Sequence, residues 1–552
     1  MISAVILSGI ALVVSNGQRG PVATSTGPSG LPAIPSFPSA EILPPGATPG
    51  TAVTIPLVRP EFQYIGDAPW QLQRCSGWSH VIEGFASRPS YLPGETLRLA
   101  VSTTAASYEG TIFRVSGTAP AASPFVAMTH LASQAGSRQI ALIVDSVTKM
   151  VSAPWTFTTS FAIPADWPSG VYLVRLESDE HVQSFVPFVV RSPRATRYLV
   201  VSSALNWQAY NPWGGSNLYR TKVGQPIPGV DRALAVSFDR PYGAGGGAGQ
   251  LFSLELPMIA WMERQGLDLS FTTDYDLSVS PDTQPLPRAV IFNGHSEYWG
   301  VPLRLWLERH VLQAGDVRLG VFAADTGYWP VVLSGAGPDG PRIVTSYKNG
   351  PLPGPASPYG SPPMNGPAAS GEATLEPGGE DEIGVAPPFP SLPPTGPYPE
   401  PLLGAFDVRA LLGVAYQHVT TAMAEYSLAD PGIPALLTGT GIAPRSPLGF
   451  FAGGEVDAAR PRPGLPTPSP GGSMRPSSVA DAVIAGAYGI PSRKGRISDA
   501  EAVWRVLPNG SAVFASGTFY WGWALDPAFA VEHNVVPGFE RLTLNIMSLL
   551  GG

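Results

Sequence analysis

The stretch Arg288 to Gly300, RAVIFNGHSEYWG, decides the reading of this 552-residue chain. Ala289, Val290, Ile291 and Phe292 form an apolar run of strand length that stops at Asn293 and Gly294, as a buried strand does where it enters a turn. If the backbone stays extended past Gly294, His295 and Glu297 stand two residues apart and point to one side. The C-terminal end of such a strand is where open α/β sheets bind ligands. VPLRLWLERHVLQAG follows with Leu303, Trp306, Leu307, Val311 and Ala314 at helical spacing, Pro302 in the first turn and Gly315 to stop it. The same polar residues also suit plain structural work, His295 as a cap, Glu297 favouring a helix N-terminus, Tyr298 and Trp299 as packing.

Working outward, strands and helices alternate. YLVVSS (198–203) reads as a buried strand running into the loop NWQAYNPWGGSNLY. FSLELPMIAWMERQG (252–266) reads as a helix, RLGVFAADTGYW as another strand, AVWRVLPNGSAVFAS (502–516) as a hairpin on Pro-Asn-Gly, and PGFERLTLNIMSLLGG as a closing amphipathic helix. The spacing predicts a parallel α/β domain over 194–552, with Pro/Gly-rich loop insertions at 349–402 and 457–478. Upstream, LRLAVST (97–103), TIFRVS (111–116), QIALIVDSV (139–147), TFTTSFAI (156–163), VYLVRLES (171–178) and SFVPFVVRS (184–192) alternate with turn chemistry. They predict an all-β unit over 61–193, an immunoglobulin-like β-sandwich that supports its neighbour.

Residues 18–60 read as a Pro/Gly/Ser-rich linker, extended and mobile. Residues 1–17 hold an apolar run of signal-peptide length without a basic n-region, from which an extracytoplasmic location, secreted or N-terminally anchored, is expected. With 33 Lys and Arg against 41 Asp and Glu, net −8, and no basic stripe, nucleic acid is not an expected partner. Cys75 is the single cysteine, so neither an internal disulfide nor a cysteine-built metal site exists, and the amidotransferase kind of cysteine nucleophile is missing from the α/β part.

The loops that follow strands, 206–219, 237–243, 294–299 and 325–329, are rich in phenols and carboxylates, with one histidine. Hard anionic oxygens of this kind suit a hard, highly charged ion, and two phenolates with one carboxylate neutralise a ferric centre. A carbohydrate cleft would show the same residues. GHSEY also differs from a G-x-S-x-G nucleophile elbow only at Tyr298, which makes Ser296 a serine-hydrolase alternative with His418 or His533 as base. A non-catalytic binding protein is the third alternative.

WQAYNPWGGSNLY, SFDRPYG, IAWMERQGLDLSFTTDYDL, NGHSEYWG and ASGTFYWGWALD, in this order, resemble the large catalytic subunit of N,N-dimethylformamidase and its relatives, over about 80–550. The resemblance implies a class I glutamine amidotransferase-like (flavodoxin-like) α/β fold and a mononuclear non-haem iron, ferric, bound by two tyrosines and a glutamate for amide hydrolysis. By motif the ligands become Tyr210, Tyr242 and Glu297, with Tyr219 and Tyr298 as competitors for the place of Tyr242. His295 becomes the acid/base, and Asp325 and Glu455 stand beside it. Asp325 in AADTGYW stands where an asparagine is expected. The implied substrate is a small amide, though dimethylformamide itself is placed in doubt, and a small accessory subunit or homo-oligomer is the implied assembly.

Overall fold

In a computed structural model, residues 52–222, 232–346, 411–459 and 480–552 are described. The chain is a mixed α/β structure in which strands predominate. Residues 1–17, the insertion 349–402 and most of the second excursion lie outside the described residues. None of the described helices is long and apolar enough to cross a membrane.

Five strands form the parallel part of the largest sheet: Tyr198–Ser202, Leu269–Thr273, Ala289–His295, Arg318–Ala324 and Ala512–Ala515. The first pairs with both the second and the third, the third with the fourth and the fourth with the fifth, all in parallel. Numbered along the chain, they run 2-1-3-4-5 across the sheet. Antiparallel strands extend the fifth, beginning with Ile497–Val506, as the hairpin reading of 502–516 expects. The central strand is buried at all seven positions and runs three residues beyond its apolar run, because pairing to Arg318–Ala324 continues through His295 and Ala324. The alternation predicted after it does not persist, since Gly294 sits at φ +74°. A side chain there would meet the backbone oxygen of Leu254, so the close approach of the 251–255 segment requires glycine.

Upstream, five strands (order Ser90–Tyr91, Gln183–Val190, Gly170–Ser178, Ser107–Val115, Phe125–Ala135) face three (Ile82–Ala86, Thr96–Thr103, Thr159–Ala162). One core of Leu97, Leu99, Tyr172, Val174 and Phe188 lies between them. The opposite face of the larger sheet, with Phe113, Leu173 and Phe185, packs on Phe252 and Leu256 of the α/β part. Gln183–Val190 is therefore buried on both sides, which explains its unbroken burial. Arg114 clasps Glu263 at 2.7 Å across the same junction.

Several expectations are corrected. QIALIVDSV keeps only Ile143–Val144 as strand, while the unforeseen strand Phe125–Ala135 pairs with Ser107–Val115; its alternation is blurred by partial exposure at most positions. The linker reading for 18–60 fails at Thr54–Pro56, which pairs with Ala422–Ala424. Asp457 belongs to the strand Glu455–Ala458, so the second excursion starts later than 457.

Candidate metal and acid/base centre

Four loops at the C-terminal ends of the parallel strands build the site. The first strand leads through Ser203 into the short helix Ala204–Ala209, which ends at Tyr210. The loop beyond it folds back on itself. Asn217 donates from its amide to Tyr210 O and accepts Tyr219 N on its other end, while Leu218 N returns to Ala209 O. Gly214 and Gly215, at φ +71° and +79°, make the bend in WGG that a side-chain-bearing residue resists. The result stacks the rings of Tyr210 and Tyr219 with centroids 4.2 Å apart.

The SFDRPYG motif serves this loop from outside. Arg240, with 0% of its surface exposed, donates to Gln208 Oε1 and O, Trp213 O and Ser216 O. Burial pulls its guanidinium down to about 9, and the carbonyl cage is what compensates it. Tyr242, expected as an iron ligand, is not in the centre. Its ring meets Trp207 edge-on, and with Arg88 and Arg240 it lines a cavity of about 20 Å³, room for one water. The hydroxyl that reaches Glu297 is that of Tyr219. Asn211 donates its amide N–H to Pro241 O at 2.8 Å, tying the DRPY loop to the loop after Tyr210.

Glu297 collects the phenols. Tyr210 Oη donates to its Oε2 at 2.8 Å, and Tyr219 Oη lies 2.7 and 2.6 Å from Oε1 and Oε2. Tyr298 Oη donates to Tyr219 Oη at 2.6 Å. Burial and the Glu297 charge raise Tyr210 and Tyr219 far above the ordinary phenol range. The backbone of this loop is tied to the next one: Gly327 N donates to Ser296 O and Trp329 N to Glu297 O.

On the other side of Glu297 stands His295. Its Nε2 lies 3.2 Å from Glu455 Oε2, 3.5 Å from Glu297 Oε2 and 3.9 Å from Asp325 Oδ2. Burial opposes protonation, but Glu455, Asp325 and Glu297 outweigh it and carry the imidazole up to about 10. Asp325 is raised by burial and by Glu455. It sits at φ +50°, held by its N–H on Asp457 Oδ1 at 3.0 Å. Glu455 arrives from a remote part of the chain because Glu455–Ala458 pairs with Ala415–Val419. Phe519 covers the imidazole with centroids 4.4 Å apart.

Of the residues expected from sequence, His295, Glu297, Asp325, Glu455 and Tyr210 lie together, whereas Tyr242 packs against Trp207. The sequence reading misses Phe519, although that residue stands in the quoted ASGTFYW. It also misses Tyr416, whose phenol burial and Glu455 push far up; no local motif marks it. The serine alternative loses its geometry. Ser296 Oγ accepts Trp299 Nε1 at 3.0 Å, His418 Nε2 faces Arg496 at 3.4 Å, and His533 stacks on Phe529.

The donor set fits a metal ion. His295, Glu297 and Asp325 form a buried group whose ligand atoms lie within 4.8 Å of one another and which could bind one. His295 Nε2, Asp325 Oδ1 and Glu455 Oε2 are buried without an aligned hydrogen bond, the condition expected of groups that await a ligand.

The family described as N,N-dimethylformamidase beta subunit-like, C-terminal, matches residues 118–365, a span that includes Tyr210, Tyr219, His295, Glu297 and Asp325 but not Glu455, Asp457, Tyr416 or Phe519. No curated protein matches the chain significantly. Among solved structures, a Paenibacillus sp. cycloisomaltooligosaccharide glucanotransferase complexed with cycloisomaltoheptaose matches at 10% identity and a TM-score of 0.14, covering 48% of this chain and 34% of that one. This chain thus spans about a third of that enzyme, and a likeness so slight carries no argument.

Proposed function

We propose that the chain is a metal-dependent hydrolase of a small amide or related C–N bond, because the N,N-dimethylformamidase beta subunit-like family model matches residues 118–365. The observation that carries this reading is the convergence of Tyr210 and Tyr219 on Glu297 at 2.6–2.8 Å, beside His295. These three oxygen ligands would hold a ferric ion, formally neutral with two phenolates and a carboxylate. Such an ion supplies carbonyl polarisation and a more acidic water. The strand order 2-1-3-4-5 supports a flavodoxin-like sheet, whose crevice opens between the first and third strands. Tyr210 and Glu297 follow those two strands.

The chain's own groups handle the protons. His295 Nε2 holds a proton against Glu455 and delivers it to the departing amine as the C–N bond breaks. Glu455 and Asp325 keep the imidazole charged and fix its direction. Phe519 and Tyr416 close the site to bulk water, which strengthens these interactions. The upstream sheets support the α/β part, an export segment precedes them, and a small accessory subunit or a second copy completes the assembly.

A second reading rests on the His295/Glu297/Asp325 group as the ligands. Colour separates the two. Phenolate ligation of ferric iron gives a visible charge-transfer band, and an iron-loaded but colourless protein leaves the histidine-carboxylate set. Assay of the iron-loaded protein on a panel of N-alkyl formamides, acetamides and amino-acid amides tests the activity. No turnover of any amide ends the hydrolase reading in favour of a binding protein.

A further inference from the structure

A second concentration of unpartnered polar atoms lies at the buried start of the helix that carries Tyr210. Glu255 Oε2, Asp274 Oδ2, Ser202 Oγ, Ser203 Oγ and both amide atoms of Asn293 have no aligned hydrogen bond. All five residues are at most 1% exposed. The aligned hydrogen bonds of each carboxylate fall on one oxygen, and the Ser202 hydroxyl also lies close enough to act on the Glu255 carboxylate. Glu255 Oε1 accepts Ser203 N at 3.1 Å and Trp207 Nε1 at 2.7 Å, and Asp274 Oδ1 accepts Leu205 N at 2.9 Å. Their partners are two residues apart in the chain, so the carboxylates flank one turn, and the charge of Glu255 acts on Asp274.

Asn293 reaches the same place from the neighbouring strand. Val201 pairs with Phe292, which sets Ser202 beside Asn293. Both alternate to the face of Val200 and Ile291, the face that packs on Leu256 and Ile259. Gly294 permits the contact, since a Cβ there would stand 2.8 Å from Leu254 O, one residue before Glu255.

Two fully buried carboxylates ordinarily have a basic partner or a metal. Among the described residues neither carboxylate forms an ion pair with a basic side chain, and the largest influence on both is burial. We propose that Glu255, Asp274, Ser202, Ser203 and Asn293 bind a divalent, oxygen-seeking cation that anchors the helix Ala204–Ala209. Two carboxylates neutralise a double charge, and the donors are all hard oxygens. Ca²⁺, which takes about six to eight such ligands at variable geometry, fits better than Mg²⁺, which keeps several waters. This site is separate from the candidate hydrolytic centre and does not rest on the amide reading.

The test uses the full chain, stripped with chelator and titrated with CaCl₂, followed by calorimetry and thermal unfolding. One Ca²⁺ per chain and a Tm higher by about 3 °C or more are expected, since a ligand that binds only the folded state stabilises it by mass action. Glu255→Gln and Asp274→Asn keep acceptors for Ser203 N and Leu205 N, so they fold. Each should bind Ca²⁺ at least roughly tenfold more weakly with iron content unchanged. No saturable Ca²⁺ binding by the folded wild type overturns the proposal in favour of a protonated acid pair. Equal Ca²⁺ affinity in both variants, or a Tm shift produced by KCl and not by CaCl₂, overturns it as well. Iron content and amide turnover, measured on the calcium-free protein, report on the other centre independently.

Discussion

Tyr210 and Tyr219 stack at 4.2 Å and both point their hydroxyls at Glu297. They stand nine positions apart in sequence, and the WGG bend and the Asn217 hydrogen bonds bring them face to face. Tyr219→Phe should therefore abolish the visible band and lower iron affinity by at least roughly tenfold. Tyr242→Phe, altering a ring against Trp207, should leave both unchanged. Iron analysis and absorbance of the two variants check this; a band lost only in Tyr242→Phe would return the ligand assignment to the DRPY motif.

The contact between His295 and Glu455 predicts a split between metal and rate. His295→Ala should keep iron and lower kcat by about 100- to 10,000-fold, the usual worth of a general acid/base. Glu455→Gln, which removes the closest charge on the imidazole, should lower kcat in the same direction. Iron lost with kcat in His295→Ala would instead make the histidine a ligand.

Among the described residues, the Ser296 hydroxyl is engaged by the indole N–H of Trp299 alone. Ser296→Ala should leave iron in place and change kcat by less than about tenfold, with a stability loss of about 1 kcal/mol for one hydrogen bond. Inactivation of an iron-loaded variant would restore the serine as nucleophile.

Arg240 is predicted to matter for stability. Arg240→Met strands the carbonyls of Gln208, Trp213 and Ser216, at about 1–3 kcal/mol for a buried group left unsatisfied. Chemical unfolding should show a loss of about 3 kcal/mol or more, and iron affinity should fall with it because the loop between Tyr210 and Tyr219 loosens. Unchanged stability would mean that the carbonyl cage is dispensable.

Without a cation, Glu255 carries its own pH signature. Burial raises its carboxyl from 4.5 to about 7, so between these values the folded state binds more protons than the unfolded one. Stability in chelator should then fall as pH rises from about 4.5 to about 7. Glu255→Gln should reduce the slope. Urea unfolding at successive pH values measures it, and a wild-type slope identical to that of the variant would contradict the shift.

The sequence by itself determined the local chemistry of the strand ends. An apolar run that stops at Asn293-Gly294 had to be a buried strand entering a turn, and the acids and histidine beyond it had nowhere else to go than the sheet's C-terminal edge. That made His295, Glu297 and Asp325 legible, because each stands at or just past the end of one of two paired parallel strands, although the alternation expected past Phe292 is broken at Gly294. Tertiary structure alone decided which phenols join them. Tyr242 and Tyr219 both stand in loops near strand ends, but the chain places Tyr242 against Trp207 while Asn217 folds Tyr219 back toward Glu297. The partial exposure of Phe125–Ala135 hid a strand for a related reason: its place was set by pairing with Ser107–Val115 and not by its own pattern. Tyr416 and the position of Glu455 against His295 depend on antiparallel pairing between segments far apart in the chain. Such contacts are set by packing and register, which no local pattern of residues encodes.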